Sequence, residues 1–217
     1  MAPFDLSQVD RLLATTRAVR KRLDLDRPVE PEVVTECLRL ATYTPSAANK
    51  QQWRWMVIDD AGRREQIAEV YRGLFYRDVR KSAVSPDPAV RRMYDSSKHL
   101  ADNLHRVPVH VIPCYLGRPS SAGDVVALST LYGSIVQAAW SFQLALRSRG
   151  LGSAWTTMHL KAERNVATIL GIPDDVTQVA LLPVAYTIGD EFKPAPRRPV
   201  EEVTYWNSWQ DNDQTEE

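Results

Sequence analysis

The pattern of apolar and polar positions along the chain predicts a mixed fold of helices and short strands. Apolar residues recur at helical spacing over residues 5–21, 31–43, 62–76, 88–105, 124–149 and 162–170. Runs rich in β-branched and aromatic residues predict strands over residues 53–58, 107–115, 151–158 and 178–187. No repeat or linker interrupts this order, so we predict one α+β domain over residues 1–207, with a disordered acidic tail over 208–217.

Residues with strong terminal preferences support several helix boundaries. Ser7, followed three residues later by Asp10, is the expected N-cap of the first helix. Pro31 suits the first turn of the second helix, because its fixed φ is compatible with a helix start. Glycine is the residue type most often found just beyond a helix C-terminus, so we expect helices to end at Gly150 and at Gly171.

Two stretches depart from the regular pattern. Pro108 and Pro113 lie in the strand predicted over 107–115. Because proline cannot donate a backbone hydrogen bond, we expect an edge strand or a bulge there. Residues 77–97, with Ser85-Pro86-Asp87-Pro88 at their centre, form the least regular internal region. We interpret this region as a charged surface excursion, which acts as a lid where it borders a pocket.

Composition excludes several classes of protein. Of the 217 residues, 44% are hydrophobic and 25% are charged, as is typical of soluble globular proteins. The 27 basic residues balance 27 acidic ones, so nothing in the global charge indicates nucleic acid or an anionic membrane as a partner. Cys37 and Cys114 are expected to be buried thiols rather than a disulfide, which fits the cytoplasm. We expect neither a signal peptide nor a membrane span of ~20 apolar residues.

The familiar catalytic and metal-binding motifs do not occur in this sequence. The four histidines, His99, His105, His110 and His159, lack the paired spacing of zinc sites, so we expect no metal. There is no P-loop, no G-x-S-x-G and no G-x-G-x-x-G after a strand. Ser153 follows Gly-Leu-Gly, but no base is marked beside it. If the protein is an enzyme, a cofactor is therefore expected to supply the chemistry.

The stretch 44–55 carries the most specific local signal. Pro45 ends the preceding helix, because the residue before a proline is driven out of the α region. Small residues follow, and Asn49 and Gln51 then supply uncharged hydrogen-bond donors and acceptors. Such a loop suits a neutral ring rich in hydrogen-bonding groups. The alternative is a polar connection that only joins a helix to a strand.

A basic cluster ends the first predicted helix, in the run Arg17-Ala18-Val19-Arg20-Lys21-Arg22. Arg17 and Arg20 are three residues apart, so on a helix they would share a face and clasp one anion. The alternative is a solvated helix end whose cations complement the C-terminal dipole. The residues of this run leave the two interpretations open.

Together, these pieces resemble the FMN-dependent nitroreductase family. The run Arg17-Ala18-Val19-Arg20, followed by Arg27-Pro28-Val29, is similar to its N-terminal phosphate-binding motif. Residues Pro45 to Trp53 are similar to its proline-serine-x-x-asparagine-x-glutamine-proline-tryptophan signature. The apolar helix that leads into residues 149–155 matches its central helix and following strand, and residues 194–199 resemble its C-terminal basic motif. The likeness runs from about residue 12 to residue 207.

The resemblance implies an α-β-α fold with a central, mostly antiparallel sheet flanked by helices, in an intertwined homodimer with FMN at the interface. One chain would hold the FMN phosphate with Arg17, Ala18, Arg20, Arg197 and Arg198. The partner chain would border the isoalloxazine ring and ribityl group with Pro45, Ser46, Ala47, Asn49 and Gln51. The ring edge near N5 would lie along Thr156, Thr157 and Met158, mostly along their backbone.

The activity implied by the resemblance is a ping-pong oxidoreductase reaction. NAD(P)H would deliver hydride to the flavin and leave, and a nitroaromatic, quinone or related acceptor would then occupy the same face. The protein would position the stacked rings and stabilise negative charge on the reduced flavin. Alternatives on the same fold are dehalogenation, dehydrogenation, flavin fragmentation, a deazaflavin donor, and a non-enzymatic dimer that binds or sequesters flavin.

The chain departs from the family pattern at three positions. Thr16 stands where many members have the first of two arginines, which leaves fewer cations for the phosphate. Gln52 replaces the common proline, which is expected to change the rigidity of the loop. Pro196 interrupts the final basic motif, so that Arg197 is favoured over Arg198 there.

Overall fold

The structure is a computed structural model and describes residues 4–119 and 123–209, leaving aside the side chains of residues 80 and 81. The helices are α1 (Leu6–Thr15), α2 (Pro31–Ala41), α3 (Ala61–Asp78), α4 (Arg80–Ala83), α5 (Pro88–Asn103), α6 (Val125–Arg147) and α7 (Glu163–Leu170). The strands are β1 (Trp53–Ile58), β2 (Val109–Leu116), β3 (Leu151–Ser153), β4 (Val176–Gln178) and β5 (Leu182–Tyr186). Short 3-10 turns lie at Ala47–Asn49, Leu104–Arg106, Met158–Ala162 and Val200–Val203.

The strands form one sheet in the order β1-β2-β5-β3, and β4 pairs with β2 beside β5. Every pairing between these strands is antiparallel. Helices cover both faces of the sheet, and alternate residues of β2 therefore pack into two different cores. Val109 and Val111 pack with buried residues of α2 and α6, whereas Ile112 and Cys114 pack with those of α3, α5 and α7. The predicted α+β fold, with an antiparallel sheet flanked by helices, is confirmed.

Of the two alternatives predicted for strand 107–115, the edge position is wrong, because β2 lies inside the sheet with β1 on one side and β4 and β5 on the other. Pro113 is opposite Trp55 of β1, and its carbonyl accepts a hydrogen bond of 3.0 Å from the Val179 N–H. The N–H and C=O of one strand residue point toward the same neighbour. The missing N–H of Pro113 therefore faces the break between β4 and β5 and costs β1 no hydrogen bond.

The first helix is shorter than predicted, since α1 ends at Thr15 and Thr16 is extended with φ −72° and ψ 121°. Its N-cap is Asp5 and not Ser7, because the Asp5 side chain accepts from the N–H groups of Ser7 and Gln8. The chain leaves the helix to meet β3, where the Val19 N–H donates to the Ser153 carbonyl at 2.8 Å. The expected face shared by two arginines on a helix is therefore wrong.

Two other stretches differ from their predicted structure. Residues 178–187 do not form one strand, because β4 ends at Gln178, β5 begins at Leu182, and between them Leu181 bridges to Thr156. Residues 77–97 are mostly helical, since α4 and α5 are separated only by a short turn. Asp87 caps α5 by accepting from the Ala89 N–H at 2.7 Å. The acidic tail predicted to be disordered lies outside the described residues beyond residue 209.

Several local predictions are confirmed. α2 begins at Pro31, and α7 ends at Gly171, whose φ of 67° is left-handed. Gly150 is not the residue that caps α6, because the helix ends at Arg147 with Ser148 as its C-cap, but Gly150 does have a left-handed φ of 76° in the turn that follows. Cys37 and Cys114 are free and buried, and burial raises the pKa of their thiols to about 11 and about 12, respectively. Both thiols are therefore weak nucleophiles at neutral pH.

Helix α6 lies within the predicted range 124–149, and its 23 residues include an apolar stretch longer than we expected for this chain. By length and composition alone it is the one helix in the described part of the chain that meets the requirements of a membrane span. Much of this apolar character is explained by its place in the fold, because α6 packs against α2, β2 and β3. Its remaining apolar side chains, including Val126, Tyr132, Val136 and Trp140, are exposed to solvent.

His110 and His159 are buried titratable residues. Burial lowers the pKa of each imidazole to about 4, with Arg64 lowering that of His110 further and Glu163 partly opposing the shift of His159. Nε2 of His110 lies 2.8 Å from the Leu104 carbonyl. Neither ring nitrogen of His159 has a hydrogen-bond partner among the described residues.

We expect the free energy of unfolding to fall as the pH is lowered from about 6.5 to about 4. In this interval the unfolded chain protonates both imidazoles while the folded chain keeps them neutral. The unfolded state therefore binds more protons than the folded state. The stabilisation, roughly 3 kcal/mol per histidine, is fully present above the ordinary histidine pKa and is lost as the pH falls to the pKa of the folded state. Urea unfolding at a series of pH values measures the effect. His159→Leu should remove about half of the histidine contribution, and an unchanged pH dependence would contradict the assignment.

Candidate functional site

A basic groove lies where the segment after α1 meets the C-terminal segment. It has a volume of about 460 Å³ and is lined by residues 17–22, Ser96 and residues 191–193. Five of the lining residues are basic, and Glu191 is the one acidic residue among them. Arginine and lysine side chains that converge in this way favour a phosphate or carboxylate.

Arg17 and Arg20 are, like Lys21 and Lys193, cations of this groove that remain available to a ligand. Within the described ranges neither arginine forms an ion pair, and the one side-chain bond of Arg17 goes from Nη1 to the Lys193 carbonyl at 3.1 Å. Arg22 differs, because it donates to the carbonyls of Ile188 and Glu191 at 2.7 Å. We therefore assign Arg22 a structural role in holding the wall of the groove.

Gly152 allows the arginine segment to lie directly on β3. A Cβ atom at Gly152 would stand 2.8 Å from Cγ2 of Thr187 and 3.0 Å from Cβ of Val19. Val19 is buried, and its N–H bonds the Ser153 carbonyl, so the backbone between Arg17 and Arg20 is held in place. The sheet, and not a helix, therefore positions both arginines.

Tyr71 of α3 links the basic groove to the turn that follows β3. Its side chain is buried, and burial raises the pKa of the hydroxyl, while the Thr156 side chain and the positive charge of Arg20 oppose the shift. Both residues therefore act on the pKa of the Tyr71 hydroxyl. The structure brings Arg20 and Thr156, which are far apart in sequence, to the same end of the molecule.

The turn 156–158 is fixed mainly by backbone contacts. Thr156 and Leu181 exchange backbone hydrogen bonds of 3.1 and 2.8 Å, and Thr156 Oγ1 also donates to the Leu181 carbonyl at 2.8 Å. Thr157 is exposed, whereas Met158 is half-buried against the core of α3, α5 and α7. The side chain of Thr156 is therefore committed to the fold, and Thr157 is the member of the turn that faces solvent.

The loop 44–52 has an unusual backbone. Ala48, Asn49 and Gln51 have φ values of 49°, 51° and 50°, in the left-handed region that residues other than glycine rarely adopt. Each such residue costs roughly 1–2 kcal/mol relative to a right-handed conformation. Backbone strain of this kind persists only where surrounding contacts impose it, and it is concentrated at functional sites.

Hydrogen bonds to α6 and within the loop hold the loop 44–52 in this conformation. The Ala47 N–H donates to Ser134 Oγ of α6 at 3.1 Å, and Thr44 Oγ1 donates to Ser141 Oγ at 3.0 Å. Within the loop, the Gln51 N–H donates to Ser46 Oγ at 3.1 Å, and Gln51 Nε2 donates to Asn49 Oδ1 at 3.0 Å. The loop therefore has one defined conformation and is more than a flexible connection between α2 and β1.

The loop 44–52 and the basic groove are separate in one chain. Residues 45–47 line a different groove of about 240 Å³ together with five residues of α6: Ser129, Thr130, Gly133, Ser134 and Gln137. No residue of the loop lines the basic groove. The structure therefore brings together Arg17, Ala18, Arg20 and Thr156, but leaves Pro45, Ser46, Ala47, Asn49 and Gln51 on another surface.

Arg197 and Arg198 do not line the basic groove. Both are exposed in a segment without regular structure, and Nη1 of Arg197 donates to the adjacent Pro196 carbonyl at 2.9 Å. Lys193 occupies the groove instead. Tyr71, Ser134 and Gly152 were not predicted as site residues, because helical or apolar periodicity assigns such residues to the core without indicating what they contact.

Metal-ligand clusters are absent from the described part of the chain, where no group of three or more His, Cys, Asp or Glu side chains is arranged to hold a metal ion. The groups that the basic groove, the loop 44–52 and the turn 156–158 offer to a ligand are guanidinium groups, amides and exposed backbone. This combination fits an anionic ligand that also carries a polar ring.

Comparisons with known proteins match this architecture. A profile of the nitroreductase family matches residues 13–186. An NADH dehydrogenase of Thermus thermophilus is 27% identical over 215 residues, covering 90% of this chain and 97% of that protein. Oxidized iodotyrosine deiodinase bound to FMN and 3-iodo-L-tyrosine aligns with a TM-score of 0.70 and 22% identity, covering 91% and 98% of the two chains. The FMN-dependent nitroreductase NfnB from Mycobacterium smegmatis, in complex with NADPH, aligns with a TM-score of 0.69 and 18% identity, covering 94% and 100%.

The matched range includes the arginine segment after α1, the loop 44–52, the whole sheet and the turn 156–158. It ends at the last residue of β5, before the segment that carries Arg197 and Arg198. Sequence profile and fold therefore agree over most of the molecule, and the chain belongs to the nitroreductase family.

Proposed function

We propose that the protein is an FMN-dependent oxidoreductase that transfers electrons from NADH or NADPH to a nitroaromatic, quinone or related small acceptor. Family membership supports this class of reaction, and so do the names of the similar proteins, which include an NADH dehydrogenase and a nitroreductase in complex with NADPH. When bound, FMN would supply the electron-transfer chemistry. The protein's own residues would bind and orient it and would admit the two substrates in turn.

The basic groove fits the phosphate end of FMN. Arg17 and Arg20 lack carboxylate partners among the described residues and lie on a backbone that β3 holds in place. Ala18 lies between them and is exposed, so it leaves backbone and space open to the ligand. Arginine–phosphate bonds are charge-assisted and about twice as strong as neutral hydrogen bonds. Arg197 and Arg198 would have to move toward this groove to contribute, and we propose them as secondary contacts.

The exposed side of α6 supports a homodimer. Val125, Val126, Tyr132, Val136 and Trp140 recur at helical spacing on that side and are exposed in the single chain. Residues 45–47 lie beside this apolar stripe, in the groove formed with α6. A second copy that covers the stripe would therefore also approach the loop 44–52.

In this dimer, the loop 44–52 of one chain would complete the basic groove of its partner. Asn49 and Gln51 would offer amide groups to the polar edge of the flavin ring, and Pro45, Ser46 and Ala47 would form its rim. The turn 156–158 would lie along the opposite ring edge, where the fixed backbone of Thr156 and the half-buried Met158 restrict movement. Such positioning reduces the entropy that must be lost before reaction.

The observation that carries the proposal is the separation of two complementary half-sites in one chain. The groove with five basic residues is not lined by any residue of the loop 44–52. The loop, with its strained backbone and its amide side chains, lies on another surface. Neither half suffices for a dinucleotide or mononucleotide with both a phosphate and a ring. Two chains together would supply both.

We expect the purified protein to be yellow, or to become yellow when FMN is added. Anaerobic addition of NADH or NADPH should bleach the flavin absorbance, and one of the two donors should act at lower concentration. Quinones and nitroaromatics should restore the colour, and product analysis would identify the preferred acceptor. A purified protein that contains no FMN and does not bind added FMN would overturn the proposal. Bound FMN that neither nicotinamide reduces would indicate a flavin-binding dimer or a deazaflavin donor instead.

A further inference from the structure

The loop 44–52 carries three left-handed residues other than glycine, so its shape depends on what holds its two ends. The N-terminal end is tied to α6 through Thr44 and Ala47. The internal bonds between Ser46, Asn49 and Gln51 connect parts of the loop to one another and cannot place the loop on the fold. The C-terminal end therefore needs an anchor of its own.

Gln52 provides that anchor with both its backbone and its side chain. Its carbonyl accepts from the Leu116 N–H at 2.9 Å, and its Oε1 accepts from the Tyr115 hydroxyl at 2.6 Å. Gln52 follows Gln51, the last of the left-handed residues, without an intervening position. The two bonds thus act at the point where the strained backbone joins β1.

Tyr115 is a rigid support for this contact. It lies in β2, opposite Trp53 of β1 and Thr177 of β4, and is only 6% exposed. Its ring packs with Leu131 and Ile135 of α6, the helix that also holds the other end of the loop. The sheet and α6 therefore fix the hydroxyl, and the hydroxyl in turn fixes Gln52.

We propose that Tyr115 and Gln52 are a positioning pair, which holds the loop 44–52 in the conformation that binds the flavin ring. At this position the family resemblance leads us to expect proline, which would restrict the backbone directly. Here a side-chain hydrogen bond to the sheet has that task. The inference rests on the proposed function, and neither residue is assigned a contact with substrate or cofactor.

The test is a double-mutant cycle with Tyr115→Phe, Gln52→Ala and the combined variant, in which FMN affinity is measured by quenching of flavin fluorescence. Each single variant should raise the FMN dissociation constant about three- to tenfold, the range expected for loss of one hydrogen bond. The combined variant should lose no more than either single one, because both changes remove the same contact. The anisotropy of any remaining bound flavin should fall in parallel.

Tyr186→Phe is the matched control, because its hydroxyl donates a bond of 2.7 Å to Glu30 and not to the loop. It should leave FMN affinity unchanged, and thermal unfolding of the FMN-free variants will separate loss of stability from loss of positioning. If the wild type binds FMN and Tyr115→Phe binds it equally well, or if the two changes multiply in the combined variant, the positioning role is overturned alone. If the wild type does not bind FMN, the proposed function fails and the positioning role fails with it.

Discussion

Replacing Arg17 and Arg20 together by alanine is expected to weaken FMN binding by about a hundredfold or more, with little change in the stability of the FMN-free protein. Hydrogen bonds to charged groups contribute roughly 1.5–3 kcal/mol each, and two of them would be lost. The fold itself needs these guanidinium groups little, since Arg17 makes a single exposed bond to the Lys193 carbonyl. Fluorescence titration measures the affinity, and urea unfolding measures the stability.

The control for this double variant is Arg11→Ala with Arg63→Ala. Both residues are exposed on helices, and the control removes the same net charge without touching the basic groove. It should bind FMN as the wild type does at moderate ionic strength, because distant exposed charges are screened. Equal FMN affinity in the Arg17/Arg20 variant and in this control would contradict the assignment of the phosphate site.

Replacing Val136 by glutamate is expected to separate the proposed dimer into monomers and to abolish most FMN binding. Val136 lies at the centre of the exposed apolar stripe of α6 and is 39% exposed in the single chain. A carboxylate buried there without a partner would cost several kcal/mol, so we expect the dimer dissociation constant to rise at least about a hundredfold. Light scattering measures the mass, and flavin absorbance after gel filtration measures the cofactor retained.

Val57→Glu is the matched control for this change. Val57 lies on β1 and is 41% exposed, so the same substitution is made at a valine of similar exposure outside α6. Its dimer and its FMN content should resemble those of the wild type. A Val136→Glu protein that stays dimeric would remove α6 from the interface, and a clean monomer that keeps FMN would contradict a site shared between chains.

The sequence predicted best those features that depend on neighbouring residues. The apolar periodicity of α6 and the helix-ending glycine at 171 gave correct elements because helix propensity and capping act within a few residues. The arginine segment and the loop 44–52 were identified from residue types whose hydrogen-bonding chemistry is visible in the sequence alone. Both lie within the range that matches the family.

The errors arose where distant residues determine the local structure. Helix periodicity continues through Arg20, yet α1 ends at Thr15 because Val19 bonds to Ser153 of β3. Two prolines suggested an edge strand or a bulge, yet β2 is internal and accommodates Pro113 because this residue faces the break between β4 and β5. In each case the competing contact is formed by a residue more than sixty positions away.

By itself, the sequence determined the number and order of most elements, the mixed fold class and the chemical types available for a site, since these follow from periodicity and from side-chain chemistry. Only the tertiary structure decided that β3 positions Arg17 and Arg20, that Arg20 and Thr156 both act on the pKa of Tyr71, and that Tyr115 holds the end of the loop 44–52. It also left the two half-sites on separate surfaces of one chain. These relations depend on the packing of segments far apart in sequence, which local patterns do not encode.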